Sequence, residues 1–146
     1  FRMSNQTSYA AAYESFDLAQ IDATFSGSIE TGINACVECC DRHVRSAAPA
    51  LHWFGQNNAT RTLSFADLQN KAARFANLLT AQGIKPGDRV SAMLPRVPEL
   101  LVVLVGTLRA GAVYQPLFTA FGPKAIEQRL SGSAAKLIVT DGENRS

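Results

Sequence analysis

Residues 89–140 read RVSAMLPRVPELLVVLVGTLRAGAVYQPLFTAFGPKAIEQRLSGSAAKLIVT, and this stretch decides the fold class. RVSAML is a short apolar run that Pro95 closes, so it reads as a strand. Pro98 suits a first helical turn, and PELLVVLVGTLRAG is apolar on nearly every side, which predicts a helix buried on more than one face. AVYQP is a short strand, PKAIEQRLSG a helix with Pro123 near its first turn, and KLIVT a strand again. The order β-α-β-α-β, with short connections, predicts an α/β fold built on a mainly parallel sheet with right-handed crossovers and flanking helices.

Upstream, a helix and a β-hairpin are expected. TGINACVECCDRHV places Ile33, Val37, Cys40 and Val44 on one face of a 3.6-residue period, so it reads as one helix. ALHWF and RTLSF, separated by GQNNAT, read as a hairpin. Ser64 is a plausible N-cap for FADLQNKAARFANLLTAQG, whose Leu68, Ala72, Phe75, Leu79 and Gln82 share a face, with Phe65 and Leu78 beside it. Gly83 stands where a left-handed C-terminal cap is expected, and Pro86-Gly87 has the order of a type II turn. Residues 1–30 are weakly patterned, with one short helix in YAAAYESFDL, and the organised domain is expected over residues 31–146.

Composition excludes several classes. An apolar fraction of 47% and a charged fraction of 18% belong to an ordinary globular protein. The net charge of +2 is too small and too evenly spread for a nucleic-acid partner. The longest apolar run, Leu100 to Val105, falls well short of the ~20 residues a membrane span requires. FRMSNQTSYAAAYESF lacks the apolar core of a signal peptide, and three cysteines clustered at 36, 39 and 40 make no disulfide framework. Together these point to a reducing, cytoplasmic setting.

The candidate chemistry is sparse. Cys36, Cys39, Cys40 and His43 suggest a metal site, but on one helix Cys36 and His43 would lie ~10 Å apart along the axis, too far to converge on one zinc ion. No metal is expected. His43 and His52 read as structural, and Trp53 as packing. Gly106 and Gly111 have the spacing of a phosphate loop without its Lys-Ser/Thr, and a helix precedes the strand where a phosphate loop needs the reverse. No Gly-x-Gly-x-x-Gly occurs.

Two segments resemble the core motifs of adenylate-forming enzymes. LSFADL, Leu63 to Leu68, resembles the first, Leu-Thr/Ser-Tyr-x-Glu-Leu, with Leu63, Ser64 and Leu68 matching, Phe65 for the tyrosine and Asp67 for the glutamate. LRAGAVYQP resembles the second, Leu-Lys-Ala-Gly-x-Ala-Tyr-x-Pro, in Leu108, Ala110, Gly111, Tyr114 and Pro116, with Arg109 for the lysine. GIKPGDRV and LPRVPELLVVLVGTLRAG match in order and spacing between them, so the resemblance covers roughly Gly32 to Arg145. Within that superfamily the chain looks most like acetyl-CoA synthetases and related short- and medium-chain acyl-CoA synthetases. NACVECCDRHV is similar to their Asn-x6-Asp-Arg-His pattern, and LFTAFGPKAIEQRL to their Phe-Gly-Gly-Phe-Ser-Pro-Glu-Ala segment. Thr119 and Ala120 replace two glycines there, and Lys124 the glutamate.

The resemblance implies an AMP-forming ligase of fatty acid metabolism, which activates a small carboxylic acid with ATP and Mg2+ and transfers the acyl group to CoA. It implies that this chain is the N-terminal part of the large AMP-binding domain, inactive without the remainder of its own chain, which carries the catalytic motifs. It places CoA against Phe118, Thr119 and Ala120, with Arg145 for the 3′-phosphate. An aryl-CoA ligase, a carrier-protein-loading adenylation domain, or a stand-alone α/β interaction module are the alternatives.

Overall fold

The computed structural model describes residues 8–143, and the chain divides after Ile33 into two units. The first holds helix α1 (Tyr9–Glu14) and helix α2 (Leu18–Asp22). The Ser8 hydroxyl accepts from the Ala11 N–H at 3.3 Å and starts α1. Tyr9 and Tyr13, one turn apart, stack with ring centroids 6.2 Å apart. Asp22 accepts from the Ile29 N–H at 2.8 Å and ties the following loop, which closes on a bridge between Ser28 and Gly32.

The second unit opens with helix α3 (Ala35–Cys39), N-capped by the Asn34 side chain. The single long helix expected over residues 31–44 is not what forms. At Cys40 the backbone leaves the helical path (φ −132°, ψ −65°), and a 3₁₀ turn, Asp41–His43, follows. The buried residues are therefore Cys36 and Cys40, one turn apart, while Ile33 precedes the helix and is 39% exposed. The break swings Asp41 toward Arg109, an ion pair that helical periodicity does not register.

Strands β1 (Pro49–Phe54) and β2 (Thr60–Ser64) pair antiparallel, with Leu51 opposite Leu63 and Phe54 opposite Thr60. The connection runs through Asn57 and Asn58 at φ 56° and 59°, where asparagine tolerates the left-handed region. Helix α4 (Phe65–Ala81) begins in a reciprocal capping box: Ser64 Oγ accepts from the Asp67 N–H at 3.1 Å, and Asp67 Oδ2 accepts from the Ser64 N–H at 3.1 Å. It ends in a Schellman motif at Gly83 (φ +80°), where the Ile84 N–H donates to the Leu79 carbonyl at 3.0 Å and both side chains are buried. Its inner face is Leu68, Ala72, Ala76 and Leu79; Leu78 and Gln82 are exposed.

Strand β3 (Arg89–Met93), helix α5 (Pro98–Arg109), strand β4 (Val113–Pro116), helix α6 (Pro123–Ser133) and strand β5 (Leu137–Thr140) complete the unit. The sheet is parallel in the order β4-β3-β5, the α/β arrangement expected. Chain order and spatial order differ, and open α/β sheets place their ligands outside the carboxyl ends of their strands. β3 alternates sharply. Val90 packs with Leu79, Ile84 and Ala112 in one core. Ser91, fully buried, turns to the opposite face and donates to Gln115 Oε1 at 2.6 Å, which also accepts from Ser133 Oγ of α6 at 2.9 Å. A second core joins Cys36, Cys40, Leu68, Ala72 and Val105. α4 and α5 cross at Gly106, where an added Cβ would lie 2.8 Å from the Ala72 carbonyl oxygen. Among the described residues, no helix is long and apolar enough to cross a membrane.

Candidate functional site

Residues matching the two core motifs are distributed through the scaffold. Ser64 caps α4, Leu68 is core, and Phe65 lies 5.2 Å from the His43 ring. Leu63 is half-buried in β2. The Leu108 carbonyl accepts from Asn34 Nδ2 at 3.3 Å. Ala110 is the C-cap of α5, and Gly111 follows at φ +70°, a conformation that favours glycine. Its carbonyl accepts from the Gly87 N–H at 2.9 Å, joining the two turns at the sheet's amino-terminal edge. Gly106 lies inside α5 and Gly111 beyond its end, so the two glycines border no common loop.

Arg109 is the best-connected residue of these motifs. One of its guanidinium nitrogens donates to both carboxylate oxygens of Asp41, at 2.8 and 2.7 Å, and reaches Cys36 Sγ at 3.4 Å. Gln69 of α4 donates to the same carboxylate at 3.1 Å. Asp41 thus holds α3, α4 and the end of α5 in one polar junction. The Asp41 partner pushes the Arg109 guanidinium pKa up, so the cation is permanent. Burial raises the Cys36 thiol and pushes Cys40 up to about 11, aided by neighbouring Cys36, so both stay protonated at neutral pH. His43 Nε2 lies 3.1 Å from the Glu38 carbonyl and His52 Nδ1 3.2 Å from Thr62 Oγ1. Sequence periodicity missed the Asp41–Arg109 pair, because its partners are 68 residues apart.

The carboxyl-terminal rim of the sheet is built differently. After β4, the Leu117 N–H donates to the Ala92 carbonyl at 2.8 Å and extends the ladder one residue. The chain then turns outward. Phe118 is 63% exposed, Thr119 and Ala120 are exposed at the tip, and the Phe121 N–H closes the turn on the Phe118 carbonyl at 3.0 Å. Phe118 and Phe121 meet edge to face at 5.8 Å, and Arg129 of α6 lies 4.1 Å over the Phe121 ring. Tyr114, whose phenol pKa burial raises, Leu117, Phe118 and Phe121 line a cleft of about 710 Å³ with Leu100 and Arg96. Pro116 closes β4 beneath it. Such a mostly apolar concavity with a few polar groups is the usual form of a small-molecule site. The structure places Phe118, Thr119 and Ala120 together here, and Arg145 lies outside the described residues. Arg96 was not among the residues singled out from sequence; its signal is its position between Pro95 and Pro98.

Residues 40–146 match the family described as AMP-binding enzyme. An acetyl-coenzyme A synthetase of Sodalis glossinidius is 40% identical over 114 residues, covering 76% of this chain and 18% of that protein. One of Halorhodospira halophila is 36% identical over 132 residues, covering 88% and 20%. The crystal structure of a Brucella canis acyl-CoA synthetase superposes with a TM-score of 0.90 at 50% identity, covering 94% of this chain and 25% of that one. The chain therefore spans about a fifth of the length of the curated relatives it matches. With the matched segment running through the Asp41–Arg109 junction and the whole parallel sheet, the chain belongs to the AMP-binding enzyme family.

Proposed function

We propose that these residues belong to an acid–CoA ligase that forms AMP. The observation that carries the reading is the 50% identity and TM-score of 0.90 to an acyl-CoA synthetase across 94% of the chain. In such a ligase a carboxylate oxygen attacks the α-phosphorus of ATP, and pyrophosphate leaves. The CoA sulfur then attacks the acyl carbon, and AMP leaves with the electron pair of the broken C–O bond. Both steps depend on positioning and on stabilising phosphate charge.

Within that reaction, this chain's share is the surface that receives the thiol substrate. Exposed Phe118 offers a ring face to a base or a pantetheine arm, and the small side chains of Thr119 and Ala120 let a ligand approach the loop. Arg145 is proposed for the 3′-phosphate, which its planar donor fork suits. Mg2+ belongs to the ATP half-reaction. Among the described residues no cluster of three His, Cys, Asp or Glu side chains could hold a metal ion, so they do not fit as its site. The ATP contacts are assigned to the remainder of the enzyme, and the 146 residues alone are expected to catalyse neither step. The three free thiols accord with a cytoplasmic location.

The test uses the full-length protein. Acid-dependent exchange between ATP and labelled pyrophosphate, followed by thioester formation with CoA, is expected with short- or medium-chain acids. Exchange without any thioester on addition of CoA would point instead to a carrier-protein acceptor. Arg145→Glu is expected to raise the KM for CoA and leave the exchange unchanged.

A further inference from the structure

Arg96 stands at the centre of the loop that leaves β3, between Pro95 and Pro98. The Val97 N–H donates to the Pro95 carbonyl at 2.8 Å, a three-residue turn with Arg96 at its apex. Both prolines restrict their own φ, and Pro98 also holds Val97 extended (φ −112°, ψ 154°). The Arg96 carbonyl accepts from Trp53 Nε1 of the hairpin at 2.6 Å. Trp53 is itself held: its ring lies against Gly55, where any Cβ would collide with it, and Arg61 lies 5.7 Å from the ring centroid. The backbone of Arg96 is thus fixed on several sides.

Its side chain is treated in the opposite way. Arg96 is exposed, and its guanidinium makes no hydrogen bond or ion pair with any described residue. It lines the cleft of about 710 Å³ whose other walls include Tyr114, Phe118 and Phe121, and it is the cation among the described residues lining it. A fixed backbone that presents an uncommitted planar cation to an apolar, aromatic cleft suits a ligand carrying both an apolar or aromatic body and an anionic group, and the guanidinium fork matches a phosphate.

We propose that Arg96 binds a phosphate group of CoA, and that Trp53 is the positioning residue that fixes the loop presenting it. The inference rests on the acid–CoA ligase reading and adds a phosphate contact from the loop after β3 to the surface formed by the loop after β4. Because β3 and β4 are hydrogen-bonded neighbours in register, Ala92 opposite Pro116, the two loops leave the sheet side by side.

The experiment is steady-state kinetics of the full-length protein carrying Arg96→Ala, Arg96→Lys or Trp53→Phe, with acid-dependent ATP–pyrophosphate exchange measured alongside. Loss of a charge-assisted hydrogen bond is expected to raise the KM for CoA about tenfold in Arg96→Ala. The exchange rate and thermal midpoint stay at the wild-type values. Arg96→Lys recovers part of the loss, and Trp53→Phe raises the KM less than Arg96→Ala. With 3′-dephospho-CoA as substrate, a persisting Arg96→Ala effect assigns the contact to the diphosphate, and a vanished one assigns it to the 3′-phosphate. An unchanged KM for CoA in Arg96→Ala, or an exchange rate that falls in step with thioester formation, would overturn the proposal. Wild-type protein lacking acid-dependent exchange would overturn the ligase reading itself, a result distinct from either.

Discussion

The junction around Arg109 and the rim around Phe118 use charged and aromatic side chains in opposite ways. At the junction, Arg109, Asp41, Gln69 and Asn34 are committed to one another or to backbone carbonyls, and the Cys36 and Cys40 thiols are buried. At the rim, Phe118 is 63% exposed and Arg96 has no polar partner among the described residues, although the backbone beneath each is hydrogen-bonded. A polar group whose hydrogen-bonding capacity is spent inside the protein has little left for a ligand. The difference separates the motif residues, which assemble the sheet, from the loop residues that the sheet presents.

Substitutions sharpen that contrast, and the largest effect is expected where two helices touch. Gly106→Val would drive a branched side chain against the Ala72 carbonyl and the Phe75 ring. Overpacking of this kind is expected to cost about 3 kcal/mol, read as a lower urea midpoint. Arg109→Ala comes next. It leaves the mostly buried Asp41 carboxylate without its cation, at an expected cost of about 2 kcal/mol. If Asp41→Asn/Arg109→Ala lost as much stability as the sum of its single variants, the two residues would not be coupled as described. Ser64→Ala removes one half of the capping box and is expected to cost about 1 kcal/mol. Phe118→Ala is expected to shift stability by under ~0.5 kcal/mol, since the exposed ring fills no core. A larger loss there would erase the distinction between junction and rim.

Much of the fold was legible because its signals are local. Ser64, Gly83, Pro86-Gly87 and Pro98 each act within a few residues, and each element they bound forms where expected. The parallel sheet followed from the order of elements and short connections. The segment around Cys36 was misread for the converse reason: its periodicity suits a longer helix, but the Asp41–Arg109 pair and the burial of Cys36 with Cys40 favour a break at Cys40. At the rim, the phenylalanines and small residues of the β4–α6 loop were identifiable from motif resemblance. Arg96 was not, because its place between Pro95 and Pro98 marks a rigid loop but not the unspent guanidinium on an anchored backbone that three-dimensional bonding creates.

The most direct measurement compares two rates in the full-length Phe118→Ala protein: acid-dependent ATP–pyrophosphate exchange, and thioester formation at increasing CoA. The expected result is exchange at the wild-type rate with the KM for CoA raised severalfold. A KM for CoA equal to that of the wild type, or a loss of exchange matching the loss of thioester, would contradict the assignment of this rim to the thiol substrate.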